Sequence, residues 1–315
     1  MSAPIGELPR ELLDEYLLQR LPLQSSRDFS VPKNMELVVG VKPVLGVPLD
    51  LHGFYAANVS ASRVAANGGL PKALLVDLLY PINTELSWVK RVSDQLGKEA
   101  RKLGLRIMAV HSGSYGGLSI PVLSTICLGY KRRGRSKRLK EGDVVAVAGR
   151  PLLEIAIYAS YEKQQLVKMG GGNPNYLKNA YSKLSIVKPA LDAYEAGAKY
   201  VADVGEFGIV RVLKGISQEF DKAIQIDKGK IPWNNVGLKV VELLGGDPMS
   251  ATSYGTLVII SSKRAYRSVE REFERTRTPI ALVGRVVSGS GVWDIGGGPI
   301  TQHKDVYTDL IGLVR

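Results

Sequence analysis

Between Phe54 and Leu79 the chain passes through a run of small residues, a glycine turn and an apolar run broken only by Asp77. Phe54-Tyr55-Ala56-Ala57-Asn58-Val59-Ser60-Ala61-Ser62-Arg63-Val64-Ala65-Ala66-Asn67 reads as a helix. Its alanines and serines let other backbones come close, which suits a helix inside a core. Gly68-Gly69-Leu70-Pro71 ends it. The strand reading Lys72 to Tyr80 follows, closed by Pro81. Such a chain must fold with a helix pressed against a sheet. Arg63 is out of keeping with its small neighbours, being the only charge between Phe54 and Asn67.

The 315 residues allow two domains of roughly 150 residues each. A hydrophobic share of 45% and a charged share of 23% are those of an ordinary globular chain. Each apolar run is interrupted before the roughly 20 residues of a membrane span. The start Met1-Ser2-Ala3-Pro4-Ile5-Gly6-Glu7 lacks the basic-then-apolar order of a secretory signal. The one cysteine, Cys127, lies in the strand-like Val122 to Leu128 and reads as a small buried hydrophobe. A cytoplasmic protein without membrane attachment is the expectation. The net charge of +12 points to phosphorylated or polyanionic partners. Part of it sits in Lys131-Arg132-Arg133-Gly134-Arg135-Ser136-Lys137-Arg138-Leu139-Lys140. That run is a solvated hairpin loop or an RNA contact, and it has no aromatic platform for bases.

Helices are expected over Glu7–Leu21, Phe54–Asn67, Glu85–Gly104 with Thr84 as cap, Leu153–Met169, Ile186–Ala196, Gly208 to about Phe220, and Tyr266–Arg277. Strands are expected over Glu36–Val41, Lys72–Tyr80, Arg106–Val110, Val122–Tyr130, Gly142–Gly149, Lys199–Asp203, Thr256–Ser261 and Ile280–Val287. Gly149 marks the expected domain junction. Strands alternating with helices across glycine turns give mixed α/β layers in each half.

Arg63-Val64-Ala65-Ala66-Asn67-Gly68-Gly69-Leu70-Pro71 resembles the D-I-A-A-M-G-A-x-P segment of the AIR synthase (PurM)-like ATP-binding superfamily. That group includes aminoimidazole ribonucleotide synthase, thiamine-monophosphate kinase, selenophosphate synthetase and HypE. Further similarities follow in order along the chain. Asp28-Phe29-Ser30-Val31 resembles D-A-A-V, and Val41-Lys42-Pro43-Val44-Leu45-Gly46 resembles T-D-P-I-T-G. His111-Ser112-Gly113-Ser114 is similar to the start of the G-G-H-T-E-V loop at its H-T pair. Leu139-Lys140-Glu141-Gly142-Asp143-Val144-Val145 resembles the K-x-G-D hinge, Asp203-Val204-Gly205-Glu206-Phe207-Gly208 resembles D-x-T-E-G-G, and Ser253-Tyr254-Gly255-Thr256-Leu257 resembles S-G-x-L.

The resemblance implies an N-terminal α/β domain, residues 1–149, whose strands form a barrel with those of a second subunit. It implies an α+β C-terminal domain, residues 150–315, a homodimer, and nucleotide bound near the cleft between domains and subunits. It also implies ATP as ligand, with carboxylates holding magnesium on the phosphates. In the family's pattern Lys42 and Arg63 stand where metal-binding aspartates belong. Two unit charges about 4 Å apart interact by roughly 4 kcal/mol at an effective dielectric near 20. Reversing the sign at two positions therefore opposes the usual magnesium arrangement.

A cation can hold phosphate directly. Lys42, Arg63, Asn67, His111, Ser112 and Glu206 are thus the candidate residues for ATP or another phosphorylated small molecule, His111 opening a glycine-rich loop whose amides could cradle an anion. Lys42 and Arg63 read equally as structural cations in an inactive cleft. Asp28 and Asp203, with Glu206, are either a residual metal site or exposed and capping acids. His52 and His303 have no carboxylate or cysteine at ligand spacing, and Gly170–Gly172 and Gly296–Gly298 lack the Lys-Ser/Thr of a Walker loop. The terminus Leu313-Val314-Arg315 has no counterpart to the carbamoyl-accepting cysteine of HypE. The reading is a divergent HypE-like member, if active an ATP-dependent phosphotransferase or ligase. The alternative is a non-catalytic subunit that pairs with an active relative or binds RNA through residues 131–140.

Overall fold

The computed structural model describes residues 29–30, 36–132 and 138–311. The expected helix Glu7–Leu21, Asp28 and the centre of the basic run, 133–137, lie outside them. The described residues form two compact units, one within 29–45, 49–64 and 69–132, the other comprising 46–48, 65–68 and 138–311.

The first unit is a five-stranded sheet of β1 (Phe29–Ser30), β2 (Leu37–Val44), β3 (Gly69–Pro81), β4 (Arg106–Tyr115) and β5 (Val122–Lys131). The strand order is β1-β2-β5-β3-β4, with only β3 and β4 parallel. Helix α1 (His52–Ala66) lies on one face. Every residue of α1 except Arg63 is buried. Glycines on its neighbours make that possible. A Cβ at Gly40 of β2 would fall 2.5 Å from Ser60 O and 2.9 Å from Arg63 Cβ. One at Gly129 of β5 would fall 2.5 Å from Val64 Cγ1. Gly53 of α1 meets the backbone of α2 (Leu86–Lys102) at Val92 O and Leu96 N with no room for a side chain. Polar contacts tie α1 to β5: Thr125 Oγ1 donates to Ala56 O at 2.8 Å, and the Ser60 hydroxyl lies 3.0 Å from Thr125 Oγ1.

Helix α2 buries the stripe Trp88, Val92, Leu96 and Ala100. Thr84 does not cap it, because its hydroxyl donates back to Pro81 O at 2.8 Å. Cys127 is buried, and burial pushes its thiol up to about 12, so it acts as a small hydrophobe.

The second unit is built on β6 (Val144–Gly149), β7 (Tyr200–Asp203), β8 (Ala223–Ile226), β9 (Thr256–Ser261), β10 (Ile280–Val287) and β11 (Val292–Asp294), in the order β11-β8-β10-β6-β9-β7. Every residue of β6 and β9 is buried, as in strands covered on both faces. Helices α3 (Leu153–Glu162), α4 (Gln164–Met169), α5 (Pro174–Lys178), α6 (Val187–Glu195), α7 (Gly208–Phe220), α8 (Asn235–Leu243), α9 (Lys263–Arg275) and α10 (Tyr307–Leu310) complete it. The helix expected over Leu153–Met169 is broken at Lys163, whose φ of −141° is extended. Ile209, Val210, Leu213 and Ile216 of α7 pack on Val145, Val147, Ile224, Ile226, Val258 and Ile260 of the sheet.

Replacing Gly40 with Ala should destabilise the protein by about 1–3 kcal/mol, because backbone on one side and a helix Cβ on the other cannot yield. Gly215 of α7 has no atom within 4 Å of an added Cβ. Gly215→Ala should instead stabilise by about 0.5–1 kcal/mol. Urea unfolding followed by circular dichroism measures both.

Candidate functional site

In the first unit, Lys42 lies on β2 in register with Thr125, two residues beyond Gly40. Successive residues of a strand alternate faces, so Gly40 and Lys42 share the face that α1 covers. Arg63 Cβ rests on Gly40. Side chains of a helix lean toward its N-terminus. The fold thus sets two half-buried cations on one side of the sheet, one on a strand and one on a helix.

His111 and Ser112 fall elsewhere. The glycine-rich loop expected to begin at His111 is strand instead. β4 continues to Tyr115, paired in parallel with β3 through Pro81↔Tyr115. Its backbone follows the ladder, so residues 111–114 do not form an anion cradle. His111 is paired in register with Asp77, and Nδ1 lies 2.8 Å from Asp77 Oδ1. Both side chains are at least half exposed, a setting in which an ion pair contributes little. Asp77 opposes Ser124, which lies on the face opposite Thr125. His111 is therefore across the sheet from Lys42 and Arg63. Ser112 is exposed. Asn67 is buried just after α1, among the residues grouped with the second unit.

In the second unit, Asp203 ends β7 and is buried, and half-buried Glu206 sits in the turn that leads into α7. The turn is tightly built. Phe207 and Gly208 both have left-handed backbones, with φ of 59° and 65°. A non-glycine residue there costs roughly 1–2 kcal/mol. A Cβ at Gly208 would fall 2.6 Å from Ala251 O. Asp305 holds the arrangement together. Its carboxylate accepts from Phe207 N at 2.8 Å, Thr252 N at 3.0 Å and Tyr307 N at 3.1 Å. Burial raises its pKa above the ordinary value, against the lowering effect of those amides. Beside it, buried Glu154 accepts from Tyr254 N at 2.6 Å and Tyr158 Oη at 2.8 Å. The Arg211 guanidinium lies 5.3 Å from the Phe207 ring centroid. Asp305 was not among the sequence candidates. Its signal is faint: an Asp two residues before the first amide of a short helix, the pattern of an Asx turn.

Among the described residues no group of three or more His, Cys, Asp or Glu side chains is placed to hold a metal ion. Magnesium requires oxygen ligands. The cationic pair Lys42 and Arg63 does not fit it.

Two sheets with these helices, in this order, also match known proteins. No family model matches the chain. HypE in the HypE–HypF complex superposes with a TM-score of 0.75 at 16% identity, over 93% of this chain and 99% of that one. HypE in complex with ATP superposes at 0.70 and 16%, over 98% of both chains. A thiamine-monophosphate kinase complexed with AMPPCP and TMP superposes at 0.68 and 20%, over 87% of this chain and 88% of that one. The chain has the PurM-like fold of HypE and thiamine-monophosphate kinase. In sequence it is 24% identical to the thiamine-monophosphate kinase of Pyrococcus horikoshii over 254 residues, 76% of this chain and 73% of that protein. The PurM-like architecture expected from the ordered motifs is thus present. No helix among the described residues is long and apolar enough to cross a membrane.

Asp305→Ala would leave three backbone amides without their acceptor and should cost about 3 kcal/mol or more. The pH dependence has a definite sign. A carboxyl whose folded pKa lies above its unfolded value of 3.8 gives stability that is complete below that value. The contribution is lost as pH rises through the folded pKa. The stability advantage of wild type over Asp305→Asn should therefore shrink as pH rises from about 4 to 7. Urea midpoints across that range measure it.

Proposed function

We propose that the face carrying Lys42 and Arg63 binds the phosphates of ATP or of another phosphorylated small molecule, with side-chain charge in place of a metal ion. The observation that carries this reading is the placement of Arg63. It is the one residue of α1 that is not buried, and its Cβ rests on the strand that bears Lys42. Its guanidinium offers five donors in a planar fork suited to phosphate oxygens, and Lys42 adds a compact positive charge. HypE in complex with ATP, a structural neighbour, supports nucleotide as the ligand class.

The consequence for chemistry is direct. Phosphoryl transfer needs its developing charge neutralised and its groups held in line. Two cations can bind and neutralise phosphate, yet they offer no ligand oxygens to a metal. The protein on this reading is a nucleotide or phosphate binder with weak or no phosphoryl transfer.

The first unit further supports a homodimer. Helices α1 and α2 occupy one face of its sheet. The other face carries apolar rows, Val41–Ile126–Leu75 and Val39–Leu128–Ala73, and its edge strand β4 exposes Met108 and Val110. Such a face fits a second copy of the same sheet.

Two experiments test these readings. Saturating ATP should raise the melting temperature by a few degrees with EDTA present, since a ligand at 100 times its Kd contributes about 2.7 kcal/mol. Lys42→Asp and Arg63→Asp should each abolish the shift; a shift that requires magnesium and survives in both variants would sink the phosphate reading. In sedimentation, wild type should run as a dimer and Ile126→Lys as a folded monomer. A monomeric wild type rules the dimer out.

A further inference from the structure

From Lys163 to Leu191 the sequence contains Lys163, Lys168, Lys178, Lys183 and Lys188 and no Asp or Glu. In the second unit this stretch folds as α4, α5, the 3-10 turn Asn179–Leu184 and the start of α6. Lys163, Lys168 and Lys183 are exposed. Lys188 is matched by Asp192 at 2.6 Å. Glu162 at the end of α3 is exposed, and Glu242 on α8 is matched by Lys239 at 3.2 Å.

Aromatic rings stand among these lysines. Lys178 Nζ lies 4.8 Å from the Tyr161 ring centroid. Lys183 Nζ donates to Tyr176 Oη at 2.7 Å and lies 5.0 Å from that ring's centroid. Tyr176 is nonetheless 61% exposed. Next to it opens a cavity of about 350 Å³ lined by Gln164, Lys168, Gly172, Asn173, Pro174 and Asn175. No carboxylate lines it. Asn173 Oδ1 accepts from Asn175 N at 3.0 Å and Tyr176 N at 3.3 Å, which fixes the turn carrying Tyr176 at the cavity's edge.

Cations for a phosphate backbone, an exposed ring for a base face and amides for base edges together make a surface for single-stranded nucleic acid. We infer that the α4–α5 face of the second unit binds single-stranded RNA, with Lys168 and Lys183 on phosphates, Tyr176 stacked on a base and the amides of Gln164 and Asn175 on a base edge. A membrane or an acidic protein would use the lysines and leave the amide-lined cavity without a role. This inference is independent of the Lys42 and Arg63 reading.

Fluorescence anisotropy of a labelled oligouridylate with the full chain tests it. Wild type should bind at low ionic strength, with log affinity falling linearly in log salt. Each single-strand phosphate contact contributes about 0.7 to that slope. Lys168→Ala with Lys183→Ala should therefore reduce the slope by about 1.4 and weaken binding at least roughly tenfold. Tyr176→Ala should weaken it about fivefold or more. All three positions are exposed, and unchanged melting temperatures would exclude unfolding as the cause. No binding by wild type, unchanged binding in the lysine pair variant, or equal competition by polyglutamate would each overturn the inference.

Discussion

The contact on which the first unit depends is the approach of α1 to the sheet. Gly40, Gly129 and Gly53 remove side chains where this helix touches a strand, a second strand and a second helix. The residues that line the contacts are small enough for backbones to meet. Close packing makes such an arrangement intolerant of added volume. It also has a chemical effect. With Ser60 O and Arg63 Cβ fixed against Gly40, the side chain at position 63 starts from a point set by the backbone. Its identity can change without repacking the helix.

The second unit is secured in another way. Its Glu206 turn contains a strained Phe207 and has little apolar material of its own. The strain is held by a buried carboxylate that takes three amides, one from the turn, one from the segment before β9 and one from the start of α10. Burial costs that carboxylate part of its charge preference. The unit thus trades desolvation for a defined turn at the N-terminus of α7.

Much of this was legible in the sequence where the signal was local. The small-residue helix and the buried runs at Val144–Gly149 and Thr256–Ser261 appear where their patterns place them, while β3 begins at Gly69, inside the turn expected over Gly68–Pro71. The family's fold was readable from the order of its motifs. What escaped depended on long-range partners. β4 continues past His111 because β3 supplies a parallel ladder, and the spacing of Gly113, Gly116 and Gly117 carries no trace of that pairing. Short β8 and β11 exist only because β10 lies beside β8. Asp305 acts across about fifty and a hundred residues of chain to Thr252 and Phe207. Lys42 and Arg63 could be singled out from the motifs, but their shared face could not be.

Strand order in the first sheet governs when this protein can acquire its shape. β2 and β3 are close in sequence yet share no ladder, since β5 lies between them. α1 connects two strands that have no ladder in common until residues 122–131 arrive. A chain emerging from the ribosome therefore cannot close this sheet until Lys131 is free. Loop entropy is spent before the central pairing repays it. Until then the glycine-lined seat of α1 stands open, with its apolar strands without their central neighbour. A nascent chain held short of that residue should depend on chaperones, and one released beyond it should not.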